Sequence, residues 1–462
     1  MIDDCRLMQR GIRTQPKADS SLRCALLGMT CHPERSEGSA FLRARRSIRS
    51  LVAQRKSRDD SSIGNRQSAI DNVRRFFGVA FDGLHLSALP VVILCLSACH
   101  RQAEPPKPYL AFVANEDSNT VAAVNLADFH VMASIPVAAK PEQLAVRPHY
   151  YELWAVSALG TISVIGFPTL RVVETLRTGT SARDLIFAPN GDHTYVLDRD
   201  SGLIVFGDAK PGEVPRESGR VRVGGKLASL VLAPDGKTLV AADADTSRLI
   251  FVSVEARRVL GTVPVGKGPG PIVILPDGSK AFVADTEEEK VSAADTASRQ
   301  ILSHIEISSK PTALLLKPDG GELFVLSAEG GIATIVDAFH DNVEQTFPTG
   351  RGTAAGVIRR DQSVLYLANA GDGSVTCLDV ENRVVLNSTH VGTEPRALAL
   401  TPDERFLVVA DRGASSLAVL RADPRARDSK GQLWMDPKRS LLITTVPVGA
   451  GPVDVVVPDW QR

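Results

Sequence analysis

Residues 233–243 read Ala-Pro-Asp-Gly-Lys-Thr-Leu-Val-Ala-Ala-Asp, and variants of this stretch recur through most of the chain from residue 109 onward. Proline sets φ at the second turn position, aspartate can accept hydrogen bonds from nearby backbone amides, and glycine tolerates the last turn position. The apolar run 239–242 is too short for a helix and is bounded by turn residues. The stretch therefore predicts a tight turn followed by a short strand that ends at Asp243.

The same pattern recurs at intervals of 41 to 45 residues. A polar residue ends the predicted strand in each copy: Asn115, Ser157, Asp198, Asp243, Asp285, Ser327, Asn369 and Asp411. Their regular placement predicts that each side chain bonds the backbone of its own turn rather than a metal ion. Self-similarity at a fixed period is the signature of a repeat architecture.

Each unit contains four short strand-like runs, which is the spacing of one blade of a β-propeller. Eight strand-ending residues predict an all-β propeller of eight four-stranded blades over residues 109–462, with seven blades as the alternative. The strand predicted at 453–457 lacks a following partner, and its equivalent lies at 109–115. One blade is therefore predicted to combine strands from both ends of the repeat region, which removes an open sheet edge.

The motifs Phe-Val-Ala-Asn (112–115) and Phe-Val-Ala-Asp (282–285), together with Val-Gly-x-Gly-Pro loops and Pro-Asp-Gly turns, resemble the bacterial YVTN-type propeller repeats. This resemblance covers about three quarters of the chain. It implies the fold and leaves the activity open, since propeller specificity resides in variable loops.

Two copies of the unit are longer than the others, at residues 207–219 and 422–438. Both additions fall between the third and fourth predicted strands, so both are predicted to project from the same face. The second contains Trp434, which could anchor a partner or fold back over its own blade.

The residues that precede the repeats have a different character. Residues 1–72 show no sustained period and are predicted to be either disordered or an upstream segment ahead of a mis-assigned start. Residues 73–98 combine Arg74 and Arg75 with an apolar run, as a secretory signal does. The ending Leu-Ser-Ala-Cys resembles a bacterial lipoprotein box, which implies cleavage before Cys99 and a lipid on its sulfur.

The segment 99–108 is rich in proline and is predicted to be a tether between the membrane and the propeller. We therefore expect an exported protein of the cell envelope that is attached to a membrane through Cys99. The residue after this cysteine is histidine, which by the sorting habit of lipoproteins favours the outer membrane. The expected form is a monomer that faces the periplasm or the cell surface.

Seven basic residues occupy the loops that lead from the last strand of one blade to the first strand of the next. They are Lys140, Arg183, Lys226, Lys267, Lys310, Arg351 and Arg396. Because such loops surround the mouth of the central channel, the residues predict a site for an anionic small molecule. The alternative is a solvated loop charge that recurs because the blade recurs.

No catalytic residue, metal site or cofactor is predicted. The six histidines of the repeats occupy unlike positions in the unit, and zinc, covalent haem and serine-hydrolase motifs do not occur in the sequence. The formal charge is zero and the repeat region carries an excess of acidic residues, which argues against a nucleic-acid partner. The expected function is a non-catalytic scaffold that binds a small anion or an envelope protein. The alternative is a lactonase-type hydrolase, or a propeller that binds a haem or quinone-type cofactor.

Overall fold

The computed structural model describes residues 109–210, 212–422, 425–427, 433–435 and 442–460. The predicted upstream segment, signal peptide and tether, including Cys99, lie outside these residues. The described part is built from β-strands, and none of its segments forms a helix long and apolar enough to cross a bilayer.

Eight four-stranded antiparallel sheets form the blades of a propeller, as the repeat count predicts. Blade 1 contains β1 (Leu110–Asn115), β2 (Thr120–Asn125) and β3 (His130–Pro136); blade 2 contains β4 (Pro141–Val146), β5 (Glu152–Ser157), β6 (Thr161–Gly166) and β7 (Arg171–Arg177). Blade 3 contains β8 (Ala182–Phe187), β9 (His193–Asp198), β10 (Leu203–Asp208) and β11 (Arg216–Arg222); blade 4 contains β12 (Leu227–Leu232), β13 (Thr238–Asp243), β14 (Arg248–Ser253) and β15 (Arg258–Pro264).

The remaining blades follow the same plan. Blade 5 contains β16 (Pro269–Ile274), β17 (Lys280–Asp285), β18 (Lys290–Asp295) and β19 (Gln300–Glu306); blade 6 contains β20 (Ala313–Leu316), β21 (Glu322–Ser327), β22 (Ile332–Asp337) and β23 (Asn342–Pro348). Blade 7 contains β24 (Thr353–Ile358), β25 (Val364–Asn369), β26 (Ser374–Asp379) and β27 (Val384–His390); blade 8 contains β28 (Pro395–Leu400), β29 (Phe406–Asp411), β30 (Ser416–Arg421) and β33 (Leu442–Pro447), with the short hairpin β31 (Arg425–Arg427) and β32 (Leu433–Met435) before its last strand. The final strand, β34 (Pro452–Val456), completes blade 1.

The ring closes through this shared blade, as predicted. Strand β34 pairs antiparallel with β1, with Val113 opposite Val455. The first strands of neighbouring blades contact one another all the way round, and β34 contacts the first strands of both blade 8 and blade 2. The closure leaves no blade of the described ring without its full set of four strands.

The core lies between the blades. Second and third strands are buried along nearly their whole length, as in β13 and β14, because neighbouring blades cover both faces of each sheet. This double burial explains their continuous apolar sequences. Fourth strands such as β15 alternate toward solvent at the rim of the propeller.

The strand-ending polar residues lie at the ends of the second strands and are buried. The predicted bond to the turn that follows is present in some blades, as the backbone nitrogens of Leu159 and Asp245 donate to Ser157 and Asp243, each at 3.1 Å. These side chains also have partners that were not predicted, in the loop that enters their own blade. Asp198 accepts hydrogen bonds from the backbone nitrogens of Thr180 and Ser181 at 3.3 and 3.1 Å, and Ser327 Oγ donates to the Ser309 carbonyl at 3.0 Å. Antiparallel pairing places the end of a second strand beside the start of the first strand, so these loop groups are the nearest ones without sheet partners.

Both long additions occupy the predicted position between third and fourth strands. In blade 3 the insert is shorter than predicted and spans residues 209–215, between β10 and β11. In blade 8 it contains β31 and β32. The side-chain environment of Trp434 lies outside the described residues.

Candidate functional site

A cavity of about 490 Å³ opens at the mouth of the central channel, on the face that carries the interblade loops. It is lined by residues of blades 7, 8, 1, 2 and 3, namely Ala354, Arg396, Arg412, Val453, Glu116, Glu142 and Arg183. The volume is that of an ordinary small-molecule site. Because residues from five blades converge on it, the cavity lies on the propeller axis.

One position of the repeat supplies most of this lining. Glu142, Arg183 and Arg396 are each the second residue of a first strand, as are Ala354 and Val453. The corresponding residues of blades 4 and 5 are the small Ala228 and Gly270. The charged side chains are therefore confined to one side of the channel, in blades 8, 2 and 3.

Two further charged residues reach the cavity from the turns that follow second strands. Glu116 and Arg412 come directly after the strand-ending residues of blades 1 and 8. Arg412 Nη1 lies 2.5 Å from Glu116 Oε2, and its Nη2 lies 3.6 Å from Asp117 Oδ2. The Glu116 amide donates to the Gly451 carbonyl at 2.8 Å, which fixes the turn against the loop that enters blade 1.

The remaining charges of the lining differ in their pairing. Arg396 pairs with Glu394. Glu142 and Arg183 are exposed, and neither forms an ion pair or a side-chain hydrogen bond within the described part of the chain. An acid and a guanidinium on adjacent blades are thus available to a molecule in the cavity.

A belt of hydrogen bonds follows one residue further along the first strands. The backbone nitrogen of Leu144 donates to Asp454 at 2.7 Å, and that of Leu230 donates to Asp184 at 3.0 Å. Each bond joins the first strand of one blade to that of the next and satisfies an amide on the open edge of the sheet. Burial is the main cause that raises the pKa of both Asp184 and Asp454. Two carboxyl groups biased toward the neutral acid therefore lie beside the charged lining.

The cavity contains two of the seven predicted cations, Arg183 and Arg396. The other five, Lys140, Lys226, Lys267, Lys310 and Arg351, lie in the loops immediately before first strands. Several of these loops are fastened by side chains of the turns between second and third strands: the amide of Lys140 donates to Asn119 at 2.8 Å, and that of Arg351 donates to Asp372 at 2.7 Å. That these basic residues attract an anion remains a prediction.

Glu116 and Arg412 were not identified from the sequence. The signal that could have found them is their place in the repeat, directly after the strand-ending residue. Alanine occupies this place in four other units, as Ala158, Ala244, Ala328 and Ala370. The charged residues at this position therefore distinguish blades 1 and 8 from the four blades that have alanine there.

The described lining of the cavity contains no histidine, and the described residues hold no group of three or more histidine, cysteine, aspartate or glutamate residues placed for a metal ion. His130, His304 and His390 instead lie on fourth strands, at the rim.

Comparison with known proteins gives a family match over part of the chain. A model of the family described as lactonase, 7-bladed β-propeller, matches residues 225–430, a span that includes Ala354, Arg396 and Arg412. The present ring has eight blades. A search of curated protein sequences gives no match.

Solved structures share the fold at low sequence identity. The periplasmic gluconolactonase PpgL of Pseudomonas aeruginosa is 18% identical, with 76% of this chain and 99% of that chain covered and a TM-score of 0.51. The dihydro-heme d1 dehydrogenase NirN, solved in complex with DHE, is 14% identical, with 76% and 77% covered and a TM-score of 0.58. A protein from Lactobacillus plantarum is 16% identical, with 76% and 100% covered and a TM-score of 0.50.

These findings correct the expected function. The non-catalytic scaffold is contradicted, because the matched family is described by an enzymatic activity, and the alternative of a lactonase-type propeller is favoured. The sequence-based expectation was wrong for a physical reason. Glu116, Glu142, Arg183, Arg396 and Arg412 are far apart in sequence, and only closure of the ring brings them to one cavity.

Proposed function

We propose that the protein is a hydrolase that opens a small anionic lactone at the mouth of the central channel. The observation that carries this proposal is the pair of unpaired charges on adjacent blades, Glu142 and Arg183, in a cavity that also holds the guanidinium groups of Arg396 and Arg412. The match to the lactonase family over residues 225–430 supports the same reaction class.

The chemistry assigns a role to each charge. The Glu142 carboxylate accepts a proton from a water molecule, whose oxygen forms a bond to the lactone carbonyl carbon. Arg183 stabilises the negative charge that develops on the carbonyl oxygen. The ring carbon–oxygen bond then breaks, and the ring oxygen leaves as a hydroxyl after taking up a proton. Arg396 and Arg412 hold the anionic group of the substrate.

The test is hydrolysis of glucono-1,5-lactone and of an anionic analogue, followed by proton release and corrected for the spontaneous rate. We expect turnover above background, with Glu142→Gln reducing kcat by about 10²-fold or more. Arg351→Gln changes a basic residue outside the cavity lining and is the matched control. Rates equal to the spontaneous ones for every lactone tested would refute the assignment.

We further propose that the repeats are of the YVTN type and that the protein is an envelope lipoprotein. The support is the Leu-Ser-Ala-Cys ending at Cys99, behind an apolar run and two arginines. The expected result is that the protein sediments with membranes and that Cys99→Ser releases it in soluble form. Wild-type protein recovered entirely in the soluble fraction would contradict this anchoring.

A further inference from the structure

An aromatic pocket of about 360 Å³ lies on the face opposite the channel mouth, at the boundary between blades 1 and 2. Its lining comes from two turns: Pro148, His149, Tyr150 and Tyr151 follow β4, and Asp459 and Trp460 follow β34. Both turns lie at the ends of first strands, whereas the candidate active site lies at their beginnings. The two sites are therefore separate.

Both turns depart from the repeat in the same way. The equivalent turn is Pro-Asp-Gly in blades 4, 5 and 6, at residues 234–236, 276–278 and 318–320. In blade 2 it becomes Pro-His-Tyr-Tyr, and in blade 1 it becomes Pro-Asp-Trp. Aromatic residues make up only 5% of the chain, so their concentration at two adjacent turns is not explained by the needs of a blade turn.

The rings form one continuous surface. The centroid of Trp460 lies 4.6 Å from that of Phe167, in the turn between β6 and β7, and 6.3 Å from that of Tyr151. Trp460 also packs against buried Phe112 at 5.6 Å. Tyr151 is 58% exposed, so part of the aromatic surface faces solvent.

Packing of Trp460 on Phe112 and Phe167 helps to hold β34 in the ring, which is a structural role. That role does not extend to Tyr151. Because more than half of its surface is exposed, burial of this side chain stabilises the fold little. A solvent-facing aromatic ring at the edge of a pocket is the arrangement that small-molecule sites use.

The charges around the pocket are already paired. Asp459 Oδ2 lies 3.9 Å from Arg360 Nη2. Arg147 lies over the ring of Tyr150 at 3.6 Å and pairs with Glu152 at 3.0 Å, while the Tyr150 hydroxyl donates to Asp192 at 2.7 Å. The pocket therefore offers aromatic faces and hydrogen-bonding groups without an unpaired charge that would select an ion.

We propose that this pocket is a binding site for a neutral saccharide. The C–H bonds on one side of a pyranose ring carry slight positive charge and pack on the negative faces of Tyr151 and Trp460. The hydroxyl groups of the sugar bond to the Asp459 carboxylate and the His149 ring. An organic cation, the other usual ligand of aromatic pockets, is disfavoured because the positively charged Arg360 guanidinium already lies 3.9 Å from this carboxylate.

The test is isothermal titration calorimetry of the purified protein with maltotriose, cellotriose and chitotriose, and with choline as the cationic probe. We expect at least one trisaccharide to bind and choline not to bind. Tyr151→Ala should weaken saccharide binding by about tenfold. Phe339→Ala is the matched control, since Phe339 is 63% exposed on the same face, in the turn of blade 6 that corresponds to that of Phe167.

Thermal unfolding of Tyr151→Ala checks that the ring remains intact, because Tyr151 does not belong to the buried contact between Trp460 and Phe112. Absence of binding for all three sugars would overturn the proposal, as would binding of choline alone. An equal loss of affinity in Tyr151→Ala and Phe339→Ala would also overturn it. Lactone hydrolysis measured on the same samples reports separately on the channel mouth.

Discussion

Arg147 belongs to blade 2, yet its Nη2 donates a hydrogen bond of 2.7 Å to the carbonyl oxygen of Glu213 in the insert of blade 3. The same guanidinium donates from Nε to the Gly191 carbonyl at 2.7 Å, and the side chain is fully buried. Blades 7 and 8 repeat this relationship: buried Arg359 donates to the Ala422 carbonyl at 2.9 Å, where the second insert begins. Each insert is thus fastened by an arginine of the preceding blade.

Replacement of Arg147 by methionine should be strongly destabilising. It leaves the Glu152 carboxylate without its ion-pair partner and the carbonyls of Gly191 and Glu213 without their guanidinium donor. Loss of one partner of a buried pair costs about 3–5 kcal/mol. Urea unfolding measures the change, with Arg177→Met as the control because Arg177 is exposed in the same blade. Equal stabilities of the two variants would show that Arg147 does not hold the insert.

The free energy of unfolding should fall as the pH rises through the range in which Asp285 loses its proton. This carboxyl group is fully buried, and burial, opposed by a hydrogen bond from Ser292, raises its pKa to about 7. Between about pH 4 and pH 7 the folded chain keeps a proton that the unfolded chain has lost, so stability decreases by up to about 1.4 kcal/mol per pH unit.

Asp285→Asn should remove this contribution and stabilise the protein at pH 8. An amide fits the position, because Asn369 occupies it in blade 7 with its Nδ2 donating to the Thr349 carbonyl at 3.1 Å. The measurement is the free energy of unfolding from pH 4.5 to 8 for both proteins. Since Asp184, Asp411 and Asp454 also have raised pKa values, only the difference between the two curves reports on Asp285. Parallel curves would contradict the prediction.

Arg396→Gln should impair use of an anionic lactone more than use of a neutral one, because Arg396 holds the anionic group, whereas Arg183→Gln should impair both, because Arg183 stabilises the charge on the carbonyl oxygen. Loss of a charge-assisted hydrogen bond of about 1.5–3 kcal/mol corresponds to roughly 10- to 100-fold in kcat/KM. Arg351→Gln, which alters a residue paired with Asp372 at 2.7 Å, should leave both substrates unaffected. If the three variants lose activity to the same extent, a general loss of surface charge is the cause.

Truncation after Gly451 should abolish cooperative unfolding. It removes β34 and with it the buried Val455, and leaves β1 with a free edge. Size-exclusion chromatography and thermal unfolding test this, with truncation after Trp460 as the control. A monomeric truncated protein with the original melting temperature would show that the shared blade is not required for closure.

The sequence predicted the blade count because the strand-ending residues are required by every blade. Asp243 and Asp411 are buried and bonded in the same way, so their spacing reports the architecture directly. The partners of these side chains were not predictable to the same degree. Asp198 bonds Ser181, which lies 17 residues earlier, and only antiparallel pairing of the first two strands brings them together.

The site was predicted less completely for a related reason. Lys140 and Arg183 lie in equivalent stretches of two different units. In the structure, however, Lys140 precedes β4, whereas Arg183 is the second residue of β8. A displacement of two residues therefore decides whether a side chain lies in the entering loop or, like Glu142 and Arg183, lines the cavity. Glu116 and Arg412 meet at 2.5 Å although 296 residues separate them, a contact that no local pattern reports.

The pairing of β34 with β1 also orders events during synthesis. A ring whose first and last strands share a sheet cannot close while its last strand is still inside the ribosome. Every shorter nascent chain exposes the unpaired edge of β1, a surface that readily takes up a foreign strand. Protection of the growing chain until β34 has emerged and paired is therefore a requirement that this architecture places on the cell.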